Sequence, residues 1–164
     1  MSEQSTATSV QASIVVDAPI EEAFSVFTEG IGTWWPREYN LLPVDVAERI
    51  FEPRVGGQVY DRGVDGSECR WARVLAYDPP DRVVISWDIS PQWQIESDLE
   101  KTSEVEIRFT AESPERTRVE VEHRHLDRHG DGWESLRDSV GSDGGWPGCV
   151  RRFGERIAAG KALS

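Results

Sequence analysis

The chain has 164 residues, of which 38% are hydrophobic, and this suits one domain with a substantial core rather than two. Its net charge of −12 would repel nucleic-acid phosphates and anionic lipid headgroups, so we expect no nucleic-acid partner and no membrane binding. We see no apolar leader and no run of about 18 apolar residues. The two cysteines, Cys69 and Cys149, form no CxxC motif. A cytoplasmic protein with reduced thiols is therefore expected.

The first third of the chain predicts one strand followed by short helices. Residues 1–11 are expected to be a disordered tail, and residues 12–161 a single domain. A strand is predicted at Ser13–Asp17, and an amphipathic helix follows it because apolar residues recur at spacings of three, one and three. That apolar face carries Ile20, Ala23, Phe24 and Phe27. A second short helix or turn carries Trp34 and Trp35.

From Val44 onward, alternating apolar and polar residues predict an antiparallel meander. In the third of its strands we expect Trp71, Arg73 and Leu75 to share one face. A polar loop, Ser90–Thr102, carries Trp93, which either belongs to a lid or packs on a neighbouring strand. The predicted strands are Val44–Ile50, Gln58–Arg62, Glu68–Tyr77, Arg82–Ile89, Glu104–Thr110 and Thr117–His125.

The C-terminal region is predicted to be helical. A short helix is expected at Trp133–Val140, and a longer one ends at Gly160. The apolar stripe of the longer helix, at spacings of four, three and four, is Trp146, Val150, Phe153 and Ile157. One face of an antiparallel meander must be covered by another element, and among the predicted elements only this helix is long enough to cover it. We therefore predict an α+β fold in which a curved antiparallel sheet wraps around a long C-terminal helix, with two short helices after the first strand.

The seven tryptophans are the strongest functional signal in the sequence. A single domain of this size holds seven indoles only in a large aromatic core or around an aromatic-lined cavity. Trp34 and Trp35 are adjacent, so both cannot point inward; one should line the cavity mouth while the other packs under the helix. Trp146 begins the stripe of the last helix and is expected to be a core residue.

An ordered set of segments runs from the first strand to the last helix: Val16–Pro19, Trp34-Trp35, Phe51–Gly57, Trp71 with the hydrophobic strand after it, Tyr77–Pro80, Val83–Trp87, Val119–His123 and Gly145-Trp146. Together with the order of elements, this set resembles the helix-grip superfamily of START-like domains and polyketide cyclases. Within it, the chain is most similar to bacterial homologues of the C-terminal domain of the heat-shock chaperone ATPase activator. The resemblance implies a deep cavity between sheet and helix; members bind lipids, hormones or polyketides, and some catalyse cyclisation or dehydration.

Six residues are the predicted ligand contacts. Arg73 is expected either to meet an anionic group or carboxylate, or to extend along a sheet edge. His123 is in phase with Val119 and Val121 and should face the cavity; with His125 it could also form a pair of metal ligands, but no fourth ligand is indicated and no metal is predicted. The predicted contacts are Trp35, Trp71, Arg73, Trp87, Phe109 and His123.

These observations favour binding of a hydrophobic or aromatic small molecule, with no assigned reaction, no cofactor and no catalytic residue. One alternative is an enzyme of the polyketide cyclase or dehydratase type, using His123 with Glu52 or Tyr60 as acid and base. Another is a chaperone-accessory protein, carried over from the resemblance. A weak homodimer through the sheet edge or terminal helix is a further expectation.

Overall fold

The computed structural model describes residues 8–35 and 41–162, and within them it contains seven strands and three α-helices. The helices are α1 (Ile20–Phe27), α2 (Trp133–Val140) and α3 (Trp146–Ala162). The strands are β1 (Val10–Val16), β2 (Val46–Phe51), β3 (Gln58–Gly63), β4 (Glu68–Asp78), β5 (Arg82–Trp87), β6 (Ser103–Ser113) and β7 (Arg116–Arg124). The predicted order of elements is confirmed, with the second short helix reduced to a 3₁₀ turn, Ile31–Thr33.

All seven strands form one antiparallel sheet in the order β1-β7-β6-β5-β4-β3-β2. The first strand therefore lies beside the last, and the meander runs from there to β2. Val10 and Gln11, which the sequence analysis placed in the tail, pair with His123 and Glu122 in β1 and β7. Residues 1–7 of that expected tail lie outside the described residues.

The strict alternation predicted for β4 is wrong, because two irregularities interrupt its register. One falls where β3 passes from Val59 to Tyr60, and the other lies between Val74 and Ala76. A bulge adds one residue to a strand and so reverses which face the following side chains occupy. As a result Trp71 is buried whereas Leu75, of the same parity, is exposed.

Helix α3 covers the sheet, as predicted, and is packed most closely against β1. Gly154 allows that approach, because a Cβ at this position would lie 2.5 Å from Ile14 Cδ1. The side chain of Phe153 is fully buried and meets Phe27 and Trp34 edge to face. The α+β helix-grip prediction is thereby confirmed. The helix continues two residues beyond Gly160, its predicted end.

Within the described residues, no helix is both long enough and apolar enough to cross a bilayer.

Candidate functional site

A cavity of about 470 Å³ lies between strands β3–β5 and the segment that joins α2 to α3. Its volume falls in the range of about 300–1,000 Å³ that is usual for small-molecule sites. Five indoles contribute to the described wall, together with aliphatic, thiol and small polar groups. The lining residues are Trp35, Leu41, Asp61, Cys69, Trp71, Trp87, Ile89, Trp93, Ser139, Val140, Ser142, Gly144, Gly145, Trp146 and Cys149.

Four of these indoles form a closed ring of contacts, which we call the tryptophan quartet: Trp35, Trp71, Trp87 and Trp146. Trp35 stacks on Trp71 with ring centroids 5.4 Å apart and an interplanar angle of 25°. The other three contacts are edge to face, at 5.8 Å (Trp71 to Trp87), 6.1 Å (Trp87 to Trp146) and 5.4 Å (Trp146 to Trp35). Each indole is supported by two others, so the wall has a fixed shape.

The two adjacent tryptophans have different neighbours, but the prediction that only one of them points inward is wrong: both are at most 7% exposed, and their rings meet edge to face at 5.7 Å. Trp35 lines the cavity, whereas Trp34 packs between Phe27 and Phe153 and donates its Nε1–H to the carbonyl oxygen of Val26 at 2.9 Å. Trp146 is buried, as expected, and it also forms part of the cavity wall.

A buried ion pair between Arg49 and Asp61 makes polar contacts with two members of the quartet. Asp61 accepts two hydrogen bonds from Arg49, from Nε at 2.5 Å and from Nη2 at 3.0 Å. Asp61 Oδ1 also accepts the Trp71 Nε1–H at 3.3 Å, and Arg49 Nη1 lies 3.4 Å from the carbonyl oxygen of Trp35. Both charged side chains are at most 2% exposed. The pair therefore fixes two members of the quartet through hydrogen bonds.

Sequence reasoning missed this ion pair. Asp61 alternates with Val59 and Gly63 on β3, and all three are buried. That shared parity was a readable signal that a carboxylate faces the interior. Its partner Arg49 lies on β2 directly opposite Asp61, and only the β2–β3 register brings the two together.

A directional chain of hydrogen bonds runs behind the quartet. An indole N–H can only donate, so Trp146 Nε1 donates to His123 Nδ1 at 3.1 Å. The proton of neutral His123 is then on Nε2, which donates to Ser103 Oγ at 2.7 Å. The Ser103 hydroxyl in turn donates to His129 Nε2 at 2.8 Å. Each hydrogen-bond partner thus fixes the tautomer of the next histidine.

The environment keeps both histidines neutral. Complete burial lowers the pKa of His123 to about 3, and the neighbouring His129 adds to this effect. Burial also lowers the pKa of His129, although the Glu96 and Asp88 carboxylates oppose the shift. Among the described residues, His129 Nδ1 and Trp87 Nε1 are buried without a hydrogen-bond partner.

Comparison with known proteins identifies the family of this chain. The family model for Activator of Hsp90 ATPase homolog 1-like protein matches residues 17–158, most of the chain. The chain belongs to this family. No curated protein matches it.

Two solved structures similar to this family member come from proteins with named roles. One is Txn09, an anthrahydroquino-γ-pyrone synthase solved as a complex; it is 37% identical, with TM-score 0.64, over 90% of this chain and 96% of that one. The other is CalC from Micromonospora echinospora, a self-sacrificing resistance protein; it is 28% identical, with TM-score 0.65, over 93% of this chain and 96% of that one.

A third neighbour, DynU16, is named as a putative protein in the dynemicin biosynthetic locus. It is 18% identical, with TM-score 0.54, over 93% of this chain and 48% of that one, so it shows the fold alone.

Three of the six predicted contacts of this family member lie outside the cavity wall. Arg73 forms a forked ion pair with Asp88, with both N–O distances at 3.0 Å, and so ties β4 to the end of β5. Phe109 packs between Phe24 and Phe27 in the core. His123 is fully buried, in contact with Trp87 and Trp146 on the side of the hydrogen-bond chain.

The candidate acid–base partners of His123 lie elsewhere. Both imidazole nitrogens are already engaged, by Ser103 and by Trp146. Glu52 instead accepts the backbone N–H of Gln58 at the β2–β3 turn, and Tyr60 lies beside Arg62. The structure therefore does not bring Glu52 or Tyr60 into hydrogen-bond contact with His123.

The structure does not support metal binding by the histidines of this chain. His125 follows the end of β7, is exposed, and has a φ of 61°, so it does not share a strand face with His123. Across residues 8–35 and 41–162 there is no group of three or more potential ligand side chains that could hold a metal ion.

Both cysteines line the cavity, and both are poor nucleophiles there. Burial raises the pKa of the Cys149 thiol to about 12. Burial, followed by the Asp61 charge, raises the pKa of Cys69 as well. Because the thiolate is the reactive form, these thiols are protonated and unreactive at neutral pH.

Proposed function

We propose that the cavity binds a planar, polycyclic aromatic small molecule that carries oxygen substituents. The observation that carries this proposal is the tryptophan quartet on the wall of a 470 Å³ cavity. Indole rings present flat, polarisable faces and edges, which favour aromatic partners over aliphatic chains of equal area.

The rigidity of the wall also favours a flat ligand of defined shape. Sites that accept varied, flexible ligands use methionine, which repacks easily. The one methionine of this chain is Met1, and the described wall consists instead of interlocked rings. The polar lining groups include Ser139 and Ser142, both exposed where the wall meets solvent, and these suit hydroxyl or carbonyl substituents.

The comparisons support the same class of compound. The synthase that is 37% identical is named for an anthrahydroquinone fused to a γ-pyrone, a planar polycyclic product with several oxygens. Protonated thiols in the wall suit such ligands, because quinones and conjugated ketones react with thiolates.

The test uses 1,8-dihydroxyanthraquinone as the probe and palmitate as an aliphatic control. We expect the anthraquinone to bind one per chain and to quench tryptophan emission, and palmitate to bind at least tenfold more weakly. Trp35→Phe should weaken anthraquinone binding about fivefold, because a lost indole contact is worth about 1 kcal/mol. Titration by fluorescence and native mass spectrometry measures both effects.

Trp34→Phe is the matched control, since Trp34 is adjacent in sequence but packs in the core. It should lower thermal stability and leave the affinity for the anthraquinone unchanged. Equal binding of palmitate and the anthraquinone, or equal weakening by the two substitutions, would contradict the proposal.

A ring-closing enzyme is the second candidate, favoured by the position of Asp61. Closing an oxygen ring on a hydroxyaryl ketone needs a base for the hydroxyl proton. Among the described lining residues Asp61 is the one carboxylate, and Oδ2 accepts a single hydrogen bond, from Arg49, which leaves a lone pair for this proton.

The candidate reaction can be followed with 2′-hydroxychalcone, an enone that isomerises to flavanone. In this step the phenol oxygen bonds to the β-carbon of the enone, its proton passes to Asp61, and the α-carbon is protonated in turn. We expect the protein to accelerate this conversion at pH 7, and Asp61→Asn to lower the rate at least 100-fold; because this substitution also leaves Arg49 without its countercharge, circular dichroism checks that the variant is folded under the assay conditions. Chromatography measures the product, and an unaffected rate in Asp61→Asn would exclude this role for Asp61.

A further inference from the structure

Trp93 is held in a backbone conformation that large side chains rarely adopt. Its φ is 61°, in the left-handed region that favours glycine and, next, asparagine. A bulky residue remains in such a conformation only when the surrounding structure determines it, and such strained residues cluster at functional sites.

The loop that carries Trp93 is tightly fixed rather than loose. Its ends are joined by a hydrogen bond from Glu96 N to Asp88 O at 2.8 Å and by a bridge between Ile89 and Ile95. At its tip Ser90 accepts the Trp93 N–H at 2.8 Å and donates its own N–H to the Gln94 carbonyl at 2.7 Å.

A further contact anchors this loop on the element before α2. A Cβ added at Gly132 would lie 3.1 Å from Pro91 Cβ, so the loop is packed directly against that glycine. Asp88, at the other end of the loop, is held by Arg73. The backbone at Trp93 is therefore held at both ends of the loop.

Trp93 lies at the mouth of the cavity. The quartet indoles are each at most 7% exposed, whereas Trp93 is 48% exposed and still lines the same cavity. On the α2–α3 segment, Ser139, Ser142 and Gly144 are the exposed lining residues. The mouth is thus bordered by one large, half-exposed indole on one side and by small polar groups on the other.

We propose that Trp93 determines affinity and ligand length by stacking on the outer ring of a polycyclic ligand whose inner ring reaches the quartet. This inference rests on the proposed function and specifies its ligand: a compound of three or more fused rings, long enough to extend from the quartet to the mouth. The strained backbone holds the indole where it covers that outer ring. On this inference, a two-ring compound contacts the quartet alone and leaves Trp93 uncovered.

The decisive variant is Trp93→Asn, because asparagine tolerates the left-handed backbone. We expect its melting temperature to equal or exceed that of the wild type, while the Kd for 1,8-dihydroxyanthraquinone rises at least fivefold. The Kd for 2-naphthol, the two-ring probe, should change less than twofold. Trp93→Phe retains an aromatic ring and should retain most of the anthraquinone affinity.

Leu99→Asn is the matched control, since Leu99 is an exposed apolar residue of the same connection that does not line the cavity. It should leave both Kd values unchanged. A lower melting temperature for Trp93→Asn with unchanged Kd values would overturn the inference, because Trp93 would then be a packing residue only. Wild-type protein that binds neither probe would overturn the proposed function, and with it this inference.

Discussion

Asp61→Ala is expected to lower the free energy of unfolding by about 3–5 kcal/mol, the usual cost of removing one partner from a buried ion pair. Asp61 supplies the countercharge for Arg49, and both side chains are almost completely buried. The substitution also removes the acceptor of the Trp71 Nε1–H. Urea denaturation followed by circular dichroism measures the loss.

Two control variants distinguish the effect of an unpaired buried charge on stability from the effect of losing a side chain. Arg49→Met combined with Asp61→Leu removes both charges, and we expect it to recover most of the stability, since an apolar pair of similar volume replaces the ions. Glu68→Ala breaks the exposed pair with Arg62 and should cost less than about 1 kcal/mol. A loss below 1 kcal/mol for Asp61→Ala would show that the ion pair does not stabilise the fold as described.

The ion pair links stability to the shape of the cavity. Arg49 reaches the carbonyl oxygen of Trp35, and Asp61 holds the indole of Trp71, so the two stacked members of the quartet share one polar support. The apolar wall therefore depends on a buried charge pair that an entirely apolar core would not need.

Much of the fold could be predicted because local periodicity determines it. The spacing of apolar residues located α1 and α3, the latter to within two residues at its C-terminal end, and alternation located six strands in the correct order. The facing of β4 could not be predicted, because register changes at Val59/Tyr60 and Val74/Ala76 depend on the neighbouring strands. Bulges of this kind leave no periodic signal in the strand itself.

The candidate site could be predicted at its tryptophans, because this one residue type indicated an aromatic cavity wall. Trp35, Trp71 and Trp87 line the cavity, and their role in binding remains a prediction. The parity of His123 correctly indicated an interior position, but the rings of Trp87 and Trp146 separate it from the cavity, and tertiary packing alone decides that. The chain through Ser103 to His129 joins residues up to 26 positions apart, which sequence patterns do not relate.

Acidification from pH 7 to pH 5 is expected to destabilise the protein by about 2 kcal/mol through His123 alone. Burial lowers the pKa of His123 from 6.5 to about 3, so the unfolded chain binds a proton in this range and the folded chain does not. The stabilisation is therefore complete above pH 6.5 and is lost as the pH falls toward 3. His129, whose pKa burial also lowers, adds to the effect.

The groups in contact with His123 support attributing the expected loss of stability between pH 7 and pH 5 to this residue. Its nitrogens contact Ser103 and Trp146, and its ring contacts Trp87, so the one titratable neighbour in that set of contacts is His129, reached through Ser103. Burial acts to raise the pKa of the Glu106 carboxyl, but the hydrogen bonds and charges of Arg82 and Arg124 together outweigh it and lower that pKa below its ordinary value, so Glu106 titrates below the pH 5–7 window.

Urea denaturation at pH 7, 6 and 5 tests the assignment. His123→Gln removes the titrating group but keeps an amide that can donate and accept, and it should reduce the loss between pH 7 and pH 5 by at least half. His125→Asn replaces an exposed histidine on the same segment and should retain the wild-type pH dependence. Equal pH dependence in wild type and His123→Gln would mean that His123 is charged in the fold. The indole of Trp146 would then face an imidazolium N–H where the structure requires an acceptor.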